Sequence, residues 1–593
     1  MDGHAAIAAM WAARKFEPSI RHIRFPYFRN LEPGLRIDFN HPITALVGPN
    51  GTNKSSILRA IQGCPEGQNI GRFWFGTPLD SIPPSERHRF VYGRWSASAK
   101  EVVEIVQIRR ARKRPTSADP SPDYFETNEP LILDGMSKMP PATKPLAADR
   151  TTTRWKSIEK EVAYFDFRAE ISAFDKFFYH NDSNIHGRSL IKYDEQIRSR
   201  KEILADKSKF VKRILEGRLH SFRPGGKELV VEPPRSLTKD ELDAVSFILG
   251  RTYGNIDIVH HRAFRATGVT AQILTEHFGY TEAWAGSGEF AVIRLVSLIS
   301  NCSDNSLLLL DEPEVSLHPG AQSRLVRFLV EIAKRRRLQI VIATHSPIIV
   351  NSLPPEAIKV LDRRSHDGKV VLRAQKSYPA EAFVALEHDT KRKTIFVEDR
   401  LAREIVLHVL RLDGELRLNA VDVKVQPGGW STLLARSLPQ WALEKREDVL
   451  ILLDGDQATD PPPPSDTIAD SQLREAAKKV LRASPNNIPA NTGGPTQEAL
   501  KTIIDFGRRR VRFLPGREPD AWLAQIIEPT ASDIGDGKDW WNTHAKALMG
   551  RLESESVTSD EQFFHQAQAI VQIPKEHPDL QKIRSIVEEF LND

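Results

Sequence analysis

Cysteine is nearly absent from this chain. Its 593 residues include only two cysteines, Cys64 and Cys302, too few for a disulfide framework or for a zinc site built from four thiolates. This scarcity is typical of proteins that work in a reducing compartment. We therefore expect a cytoplasmic protein.

The chain also lacks an excess of charge of either sign. Its 83 Lys and Arg against 78 Asp and Glu leave a net charge of +5, and 27% of residues are charged while 40% are hydrophobic. This composition is typical of globular rather than disordered proteins, and at roughly 150 residues per domain the length indicates more than one hydrophobic core. Contacts with nucleic acid must therefore be sought in local basic runs.

Long hydrophobic runs are missing as well. The one candidate targeting segment, Ala5 to Ala13, is short, mostly apolar and preceded by Asp2. A membrane-spanning helix needs about 20 apolar residues, and a secretory signal begins with basic residues. The sequence thus predicts neither a membrane span nor secretion.

Sustained heptads and repeats of fixed period are absent, which argues against long coiled-coil arms. The segment from Arg114 to Asp149 is rich in Pro, Ser, Thr and Asp, a composition that predicts an exposed insertion. From Thr153 to Leu249 the pattern favours helices. Together these features predict a compact insertion or helical arm at about residues 95–250.

A phosphate-binding loop is predicted near the N-terminus. The apolar run from Ile43 to Val47 leads into a loop, Gly48 to Ser55, that matches G-x-x-x-x-G-K-[ST] except at Asn53. Such a loop curls backbone N–H groups around phosphate, directs its lysine to the β- and γ-phosphates and offers its last hydroxyl to Mg²⁺. The predicted nucleotide-binding residues are Asn50, Gly51, Asn53, Lys54, Ser55 and Ser56, with Ser55 as a Mg²⁺ ligand.

Asn53 replaces the second glycine of this pattern. Glycine is favoured there because the backbone needs a positive φ or a close approach to phosphate. Asparagine is among the residues that best tolerate positive φ. We therefore expect the loop to keep its form.

A second strand, Ser306 to Leu310, ends at two acidic residues, Asp311 and Glu312. Asp311 is predicted to bind Mg²⁺ and Glu312 to orient or deprotonate the attacking water. An amphipathic helix from about Pro319 to Arg335 and a third strand, Gln339 to Ala343, follow. His345, just after that strand, is predicted to sense the γ-phosphate, and the alternation predicts a parallel sheet covered by helices.

The segment Ala285-Gly286-Ser287-Gly288-Glu289 precedes Asp311 by about twenty residues. With these motifs in this order, residues 43 to 347 resemble ABC-type ATPases. The resemblance implies that Ser287, Gly288 and Glu289 contact ATP held by the opposite subunit. It also implies a head-to-head homodimer, or a higher even-numbered oligomer.

Acidic residues also follow two strands near the C-terminal end. Glu398 ends the strand Thr394 to Val397, and Asp454 and Asp456 follow the strand Val449 to Leu453. Carboxylates at neighbouring strand ends can bind one or two hard divalent cations. Metal-assisted cleavage of a phosphodiester is the chemistry that this pattern predicts.

A glutamate followed by D-x-D on an α/β pattern resembles the TOPRIM domain. An ABC-type head joined to such a domain is similar to the overcoming-lysogenization-defect (OLD) nucleases, which include the nuclease subunit of Gabija antiphage defence. The resemblance implies a Mg²⁺- or Mn²⁺-dependent DNA endonuclease governed by ATP. It implies a further metal ligand at Glu518 or Asp520 and a lysine at Lys538 or Lys546. Family members carry another acid where this chain has Ala402, and Glu404 is offset from that position.

Four basic runs are candidates for DNA contacts: Arg109 to Arg114, Lys334 to Arg337, Lys391 to Lys393, and Arg508 to Arg512. Such runs neutralise phosphates without reading sequence. The run at 334 ends a predicted helix, where cations complement the helix dipole. We therefore favour the runs at 391 and 508, which flank the acidic strand ends.

The sequence predicts an α/β protein with an ABC-type ATPase head at residues 1–385, a TOPRIM-like nuclease domain at 390–530 and a helical tail at 531–593. The predicted function is an ATP-binding, metal-dependent DNA endonuclease with an antiphage role and a partner protein encoded nearby. One alternative is an ATPase whose degenerate TOPRIM domain is a scaffold for a protein or nucleic acid. Another is a DNA-repair clamp ATPase, which the missing coiled coils disfavour.

Overall fold

The computed structural model describes residues 3–83, 85–112, 123–141, 143–180, 190–193, 196–264, 267–386, 393–485, 496–529 and 534–592. These residues form two compact units, Met1–Ser377 and Tyr378–Asp593. Each unit has its own sheets.

The strands of the first unit are β1 Ile20–Tyr27, β2 Leu35–Asp38, β3 Ile43–Val47, β4 Arg89–Ser96, β5 Glu101–Ala111, β6 Asp123–Asn128, β7 Val162–Asp166, β8 Leu190–Tyr193, β9 Gln196–Ser199, β10 Val230–Ser236, β11 Tyr253–His261, β12 Gly268–Thr275, β13 Gly279–Thr281, β14 Leu307–Asp311, β15 Gln339–Thr344, β16 Ile358–Arg363 and β17 Val370–Ala374. Its helices are α1 Gly3–Ala12, α2 Lys54–Gln62, α3 Ala173–Phe178, α4 Arg200–Leu215, α5 Lys239–Leu249, α6 Ser287–Asn301, α7 Pro319–Arg336 and α8 Pro347–Asn351.

The central sheet of this unit has the strand order β17-β16-β3-β15-β14-β7. All neighbouring pairs are parallel except β16 with β17. Strands β3, β14 and β15 are buried along their whole length, as expected for apolar runs in a parallel sheet covered on both faces. The predicted parallel sheet is confirmed, and its three predicted strands begin and end within one residue of their predicted positions.

Two antiparallel sheets complete the unit, with strand orders β2-β1-β4-β5-β6 and β10-β11-β12-β13, beside the hairpin β8-β9. The predicted exposed insertion from Arg114 to Asp149 is wrong in part, because β6 lies within it and pairs with β5; residues 113–122 lie outside the described residues. The apolar N-terminal segment forms α1, in which Ile7 and Trp11 are buried. In the described part of the chain, every helix is too short or too polar to cross a membrane.

The prediction that Thr153 to Leu249 is mostly helical is also wrong in part. Helices α4 and α5 lie there, but β7 is an edge strand of the central sheet and β10 is an edge strand of an antiparallel sheet. A short apolar run such as Val162–Asp166 has no periodicity that separates a buried strand from a buried helical turn. This segment is a strand because it pairs with β14.

The second unit contains β18 Lys393–Val397, β19 Val421–Val425, β20 Val449–Leu453 and β21 Val511–Phe513. Its helices are α9 Pro379–Ala385, α10 Arg400–Asp413, α11 Glu415–Ala420, α12 Gly429–Thr432, α13 Leu438–Leu443, α14 Leu473–Leu481, α15 Gln497–Arg510, α16 Pro519–Ile527, α17 Gly537–Met549, α18 Ser559–Val571 and α19 Pro578–Asn592. A π-helical turn, Leu433–Ser437, joins α12 to α13.

The four strands form a parallel sheet in the order β19-β18-β20-β21. Two apolar clusters pack on it. One contains Ile395, Leu452 and residues of the C-terminal helices, among them Trp541 and Leu591. The other contains Ile451 and residues from the π-helical turn through α15.

Two predicted boundaries differ from the structure. The C-terminal segment is helical, but α17 to α19 contribute to the core of the second unit instead of forming a separate tail. The first unit ends at Ser377, not at residue 385. Helix α9 belongs to the second unit because Glu381 forms an ion pair with Arg417 at 2.7 Å and Tyr378 is buried in the same core.

Candidate functional site

The phosphate-binding loop connects β3 to α2, as predicted. Asn53 caps α2 with φ 60° and ψ 21°, and Gly51 has φ 84°. The expectation that Asn53 occupies a positive-φ position is confirmed. Its side-chain amide donates to the Asn30 side chain, and Asn50 and Gly51 are exposed.

Lys54 is buried beneath this loop. Its Nζ donates to the carbonyl oxygens of Gly48 at 2.7 Å and Pro49 at 3.0 Å. Burial lowers the pKa of Lys54 against the opposing effect of nearby acids, chiefly Glu312. Glycine is required at position 48, because a Cβ there would collide with the carbonyl oxygen of Leu361. The ammonium group is thus held at the loop by backbone oxygens.

Asp311 lies at the end of β14, beside the start of α2. Its Oδ1 accepts from Ser55 Oγ at 3.0 Å and its Oδ2 accepts from Tyr164 at 2.7 Å. Glu312 follows with φ 51°, a conformation that is strained for a non-glycine residue. Ser56, the next loop hydroxyl, accepts from Arg29. The structure therefore brings the two predicted Mg²⁺ ligands of the nucleotide site together.

Arg168 and Tyr164 were not predicted as site residues. Arg168 contacts Asp166 at 3.0 Å, Asp311 at 3.1 Å and Glu312 at 3.5 Å, and side-chain hydrogen bonding to Asp166 contributes most to raising its pKa. Both residues lie in or just after β7, which the sequence pattern assigned to a helical arm. The signal that was available is the apolar run Ala163 to Phe167, broken only by Asp166.

His345 follows β15, as predicted. Its backbone N–H donates to Glu314 Oε1 at 2.8 Å, and its Nδ1 lies 3.2 Å from the same oxygen. Glu314 also accepts from Thr344 at 2.8 Å. The His345 side chain is 46% exposed, so the ring remains accessible while Glu314 holds its backbone.

The segment around Ser287 begins helix α6. Gly288 packs so closely on Ser316 that a Cβ would collide with its carbonyl oxygen. Glu289 accepts hydrogen bonds from Tyr280 at 2.7 Å and from Tyr253, and lies 3.5 Å from Arg251. Glu289 therefore fixes the position of this helix start from within its own chain.

A substitution pair tests the backbone argument at Asn53. Asn53→Gly keeps positive φ accessible, so ATP affinity should stay within about threefold of wild type. Asn53→Val should lower the free energy of unfolding by about 1–2 kcal/mol, because a β-branched residue resists this conformation. Urea unfolding and titration with a fluorescent ATP analogue measure both effects.

The same substitution at Asn50 is the control, since its backbone φ is not positive. Asn50→Val should change the free energy of unfolding by at most about 0.5 kcal/mol, as is usual at exposed positions. Equal destabilisation by Asn53→Val and Asn50→Val would contradict the backbone argument.

The second predicted site lies at the carboxyl ends of β18 and β20. Glu398 directly follows β18 and Asp454 directly follows β20, and these strands are parallel neighbours. Glu398 Oε1 accepts from the backbone N–H of Asp454 at 2.8 Å. The two predicted metal ligands are therefore adjacent.

Several carboxylates lie close together at these strand ends. We refer to Glu398, Asp399, Asp454 and Asp456 as the acidic group. Burial, followed by the charges of Glu398, Asp399 and Asp456, raises the pKa of Asp454 to about 8. Burial also raises the pKa of Glu398, where backbone N–H groups of Asp454 and Trp430 oppose the shift. Asp399, which caps α10 by accepting from Ala402 at 2.8 Å, was not predicted to contribute.

Asp520 rather than Glu518 lies near this group. Glu518 is exposed, whereas Asp520 is buried, accepts from Gln566 at 2.8 Å and contributes to raising the pKa of Asp454. Lys538 acts electrostatically on Asp520, whereas Lys546 donates to the carbonyl oxygen of Glu553. The sequence left two choices open, Glu518 or Asp520 as a metal ligand and Lys538 or Lys546 as the lysine. Asp520 and Lys538 are the residues that lie near the acidic group.

The position at which the resemblance implies another acid holds Ala402 in this chain. Ala402 is fully buried in the core, and Glu404 forms an ion pair with Arg411. Asp456 accepts from Gln457 at 2.6 Å. Within the described residues no group of three or more His, Cys, Asp or Glu side chains surrounds a common metal position. These carboxylates are therefore close neighbours but do not form a complete set of metal ligands.

The group nevertheless fits a divalent cation by its chemistry. Among the described residues, Oδ1 of Asp454 is buried and has no hydrogen-bond partner. A buried carboxylate oxygen without a donor is costly, and hard cations prefer oxygen ligands. Glu398, Asp454 and Asp456 are the side chains that would hold such an ion, with Asp520 beside them.

The basic runs divide into structural and exposed residues. Arg109 is buried against Asp123 at 2.6 Å, and Arg110 pairs with Glu126, so these two arginines stabilise the fold, whereas residues 113 and 114 of that run lie outside the described residues. Lys334 to Arg336 end α7, as expected for the helix-dipole interpretation. Arg508 and Arg509 are exposed at the end of α15, whereas residues 391 and 392 lie outside the described residues.

Two protein-family models match the first unit. One, described as "AAA domain, putative AbiEii toxin, Type IV TA system", matches residues 156–351, and the other, "AAA domain", matches residues 23–216. The chain therefore carries an ATPase domain of the AAA class, a class that implies ATP binding, usually with Mg²⁺. The phosphate-binding loop, Asp311 and His345 all lie within these matches.

Two curated proteins match short segments of the chain. "Protein ea59" of Escherichia phage lambda is 40% identical over 76 residues, 13% of this chain and 14% of that protein. "OLD nuclease" of Thermus scotoductus is 38% identical over 65 residues, 11% of this chain and 12% of that protein. The matches thus span about one eighth of each relative.

Solved structures of SMC head domains are also similar to part of this chain. The head from Thermotoga maritima covers 60% of the chain and 97% of its own length, with 14% identity and a TM-score of 0.28. The head from Pyrococcus yayanosii covers 62% and 99%, with 12% identity and a TM-score of 0.31.

Proposed function

We propose that this protein is an ATP-governed, divalent-metal-dependent DNA endonuclease. In this proposal the first unit binds and hydrolyses ATP, and the second unit cleaves phosphodiesters at Glu398, Asp454 and Asp456. The single observation that carries the nuclease part is the adjacency of Glu398 and Asp454 at parallel strand ends, with the Asp454 pKa raised to about 8.

The close approach of the Glu398 and Asp454 carboxylates favours the binding of a cation between them. Negative side chains forced together bind protons more readily, and a bound cation relieves the same repulsion. A divalent ion held there supplies a Lewis acid for the phosphodiester and lowers the pKa of a bound water. Glu398 and Asp454 would be its main ligands, and Lys538, near Asp520, offers a positive charge to the phosphate.

On the nucleotide side, each residue has a role that its contacts support. Lys54 would neutralise the β- and γ-phosphates, and Ser55 with Asp311 would hold Mg²⁺. Glu312 would orient the attacking water and His345 would sense the γ-phosphate. Ser287, Gly288 and Glu289 would face the nucleotide of a second copy, so that the working form is a homodimer or a larger even-numbered assembly.

The local similarity to a protein named OLD nuclease supports a nuclease of that type, and we extend the proposal to antiphage defence with a partner protein encoded nearby. The second candidate function is an ATPase whose second unit is a scaffold that binds a protein or nucleic acid. The buried Ala402 favours it, because an alanine side chain offers no atom that can bind a metal ion.

The test is cleavage of supercoiled plasmid by the full chain with Mg²⁺ or Mn²⁺, with and without ATP. We expect nicked or linear product with at least one metal and nucleotide combination, and none in EDTA. Cleavage that persists in EDTA, or no cleavage in any combination, would favour the scaffold function.

A further inference from the structure

A large cavity lies in the second unit, beside the end of β20. Its volume is about 1090 Å³, slightly above the range of about 300–1,000 Å³ that is usual for ligand pockets. Its walls come from α14, the end of α15, β21 and the proline segment 461–463. Its lining includes the apolar side chains of Val480 and Phe513 and the cations Lys479, Arg482 and Arg508.

The cavity lies next to the segment that carries Asp454 and Asp456. Leu453, which lines it, directly precedes Asp454, and Thr459 and Asp460 line it just after Asp456. Arg482, another lining residue, donates to the side chain and the backbone carbonyl of Gln457, and Gln457 donates to Asp456 at 2.6 Å. A molecule in the cavity would therefore lie close to the acidic group.

The lining has two kinds of surface. Val480, Val511 and Phe513 are apolar and partly buried, and they pack against the core of this side of the sheet. Lys479 and Arg508 are exposed at the rim, and Arg512 is partly exposed. Together with Arg482 they give four cations against the lining acids Asp460 and Glu475, and Arg512 is paired with Glu589 at 3.0 Å.

This combination matches the chemistry of a nucleotide. An aromatic base is apolar on both faces and stacks on aromatic side chains, whereas its phosphate requires cations. A duplex keeps its bases stacked and paired, so a base enters a side cavity only from a single strand or after leaving the stack. The position beside Asp454 and Asp456 indicates that this strand is the one presented to the acidic group.

We propose that the cavity binds one unstacked nucleotide of a DNA strand, with the base against the Phe513 wall and the phosphates at Lys479 and Arg508. This inference rests on the proposed nuclease function and specifies its substrate as DNA with an unpaired segment. It assigns Lys479, Arg482 and Arg508 to substrate binding rather than to catalysis.

Charge reversal with a matched control tests the rim. The double variant Lys479→Glu/Arg508→Glu reverses the charge of two exposed residues that line the cavity. The control, Lys478→Glu/Arg509→Glu, reverses the charge of two exposed neighbours that do not line it, so both variants change the net charge of the protein equally. Binding of a labelled 12-nucleotide single strand is measured by fluorescence anisotropy in EDTA, without cleavage. We expect about a tenfold or larger loss for the first variant and less than about threefold for the second. Equal losses would overturn the proposal.

A second arm tests entry of the base. Ala476→Trp fills the cavity from α14, where Ala476 is partly buried. It should weaken binding of the normal single strand about tenfold and leave binding of an abasic strand of equal length unchanged. Equal affinity of wild type for normal and abasic strands would overturn the proposal, as would tight, cavity-dependent binding of free AMP.

These binding results are independent of cleavage. A protein that binds the strand through Lys479 and Arg508 but never cuts would refute the nuclease function and leave the cavity assignment standing. A protein that cuts with unchanged single-strand binding in both double variants would refute the cavity assignment alone.

Discussion

Lys54→Ala should weaken ATP binding by about 10- to 100-fold, the range expected for a lost hydrogen-bonded charge at about 1.5–3 kcal/mol. Hydrolysis should fall further, because the lysine also neutralises charge that develops in the transition state. In the structure Lys54 is held by the carbonyl oxygens of Gly48 and Pro49, so its ammonium group is already at the loop. Nucleotide titration and phosphate release measure the two effects.

Lys160, a partly buried lysine that is also held by backbone oxygens, provides the control. Its Nζ donates to the carbonyl oxygens of Pro18 and Asn305, and burial lowers its pKa to about 7. Lys160→Ala should lower stability and leave ATP affinity within about threefold of wild type. If Lys54→Ala and Lys160→Ala weaken ATP binding equally, Lys54 acts through stability and the phosphate role is wrong.

Asp454→Asn should reduce DNA cleavage by a thousandfold or more, since it removes the charge of a proposed metal ligand while keeping its shape. The same substitution should raise the melting temperature. In the wild type Asp454 is partly buried beside Glu398, Asp399 and Asp456, and burial, followed by the charges of these carboxylates, raises its pKa to about 8. An amide in place of the carboxylate relieves the repulsion, so activity and stability should change in opposite directions.

Asp505 is the control for this prediction. It accepts from the backbone N–H and the hydroxyl of Ser465 at 2.9 and 2.6 Å, contacts that stabilise the fold without facing the acidic group. Asp505→Asn should lower the melting temperature and retain cleavage. A loss of both stability and cleavage in Asp454→Asn would indicate a structural role for Asp454.

In the first unit, the sequence predicts the loop and strand ends well, because each depends on local pattern. The run Ile43–Val47, the lysine at 54 and the acids at 311 and 312 fix a strand, a loop and a strand end without distant information. Tyr164 and Arg168 were missed because their strand is identified only by its pairing with β14. Contacts between distant segments decide such elements.

In the second unit, parallel strand ends bring Glu398 and Asp454 together as the pattern predicts. The choice of Asp520 over Glu518 and of Lys538 over Lys546 could not be predicted. It depends on how α16 to α18 pack, for example on the hydrogen bond from Gln566 to Asp520. The cavity is likewise invisible in sequence, since its walls come from segments about 80 residues apart along the chain.

Binding of Mn²⁺ to the nucleotide-free protein can be followed by electron paramagnetic resonance. We expect wild type to bind Mn²⁺ through Glu398 and Asp454, Asp454→Asn to lose this binding and Asp505→Asn to keep it. Identical Mn²⁺ binding by wild type and Asp454→Asn would show that these carboxylates hold no metal ion.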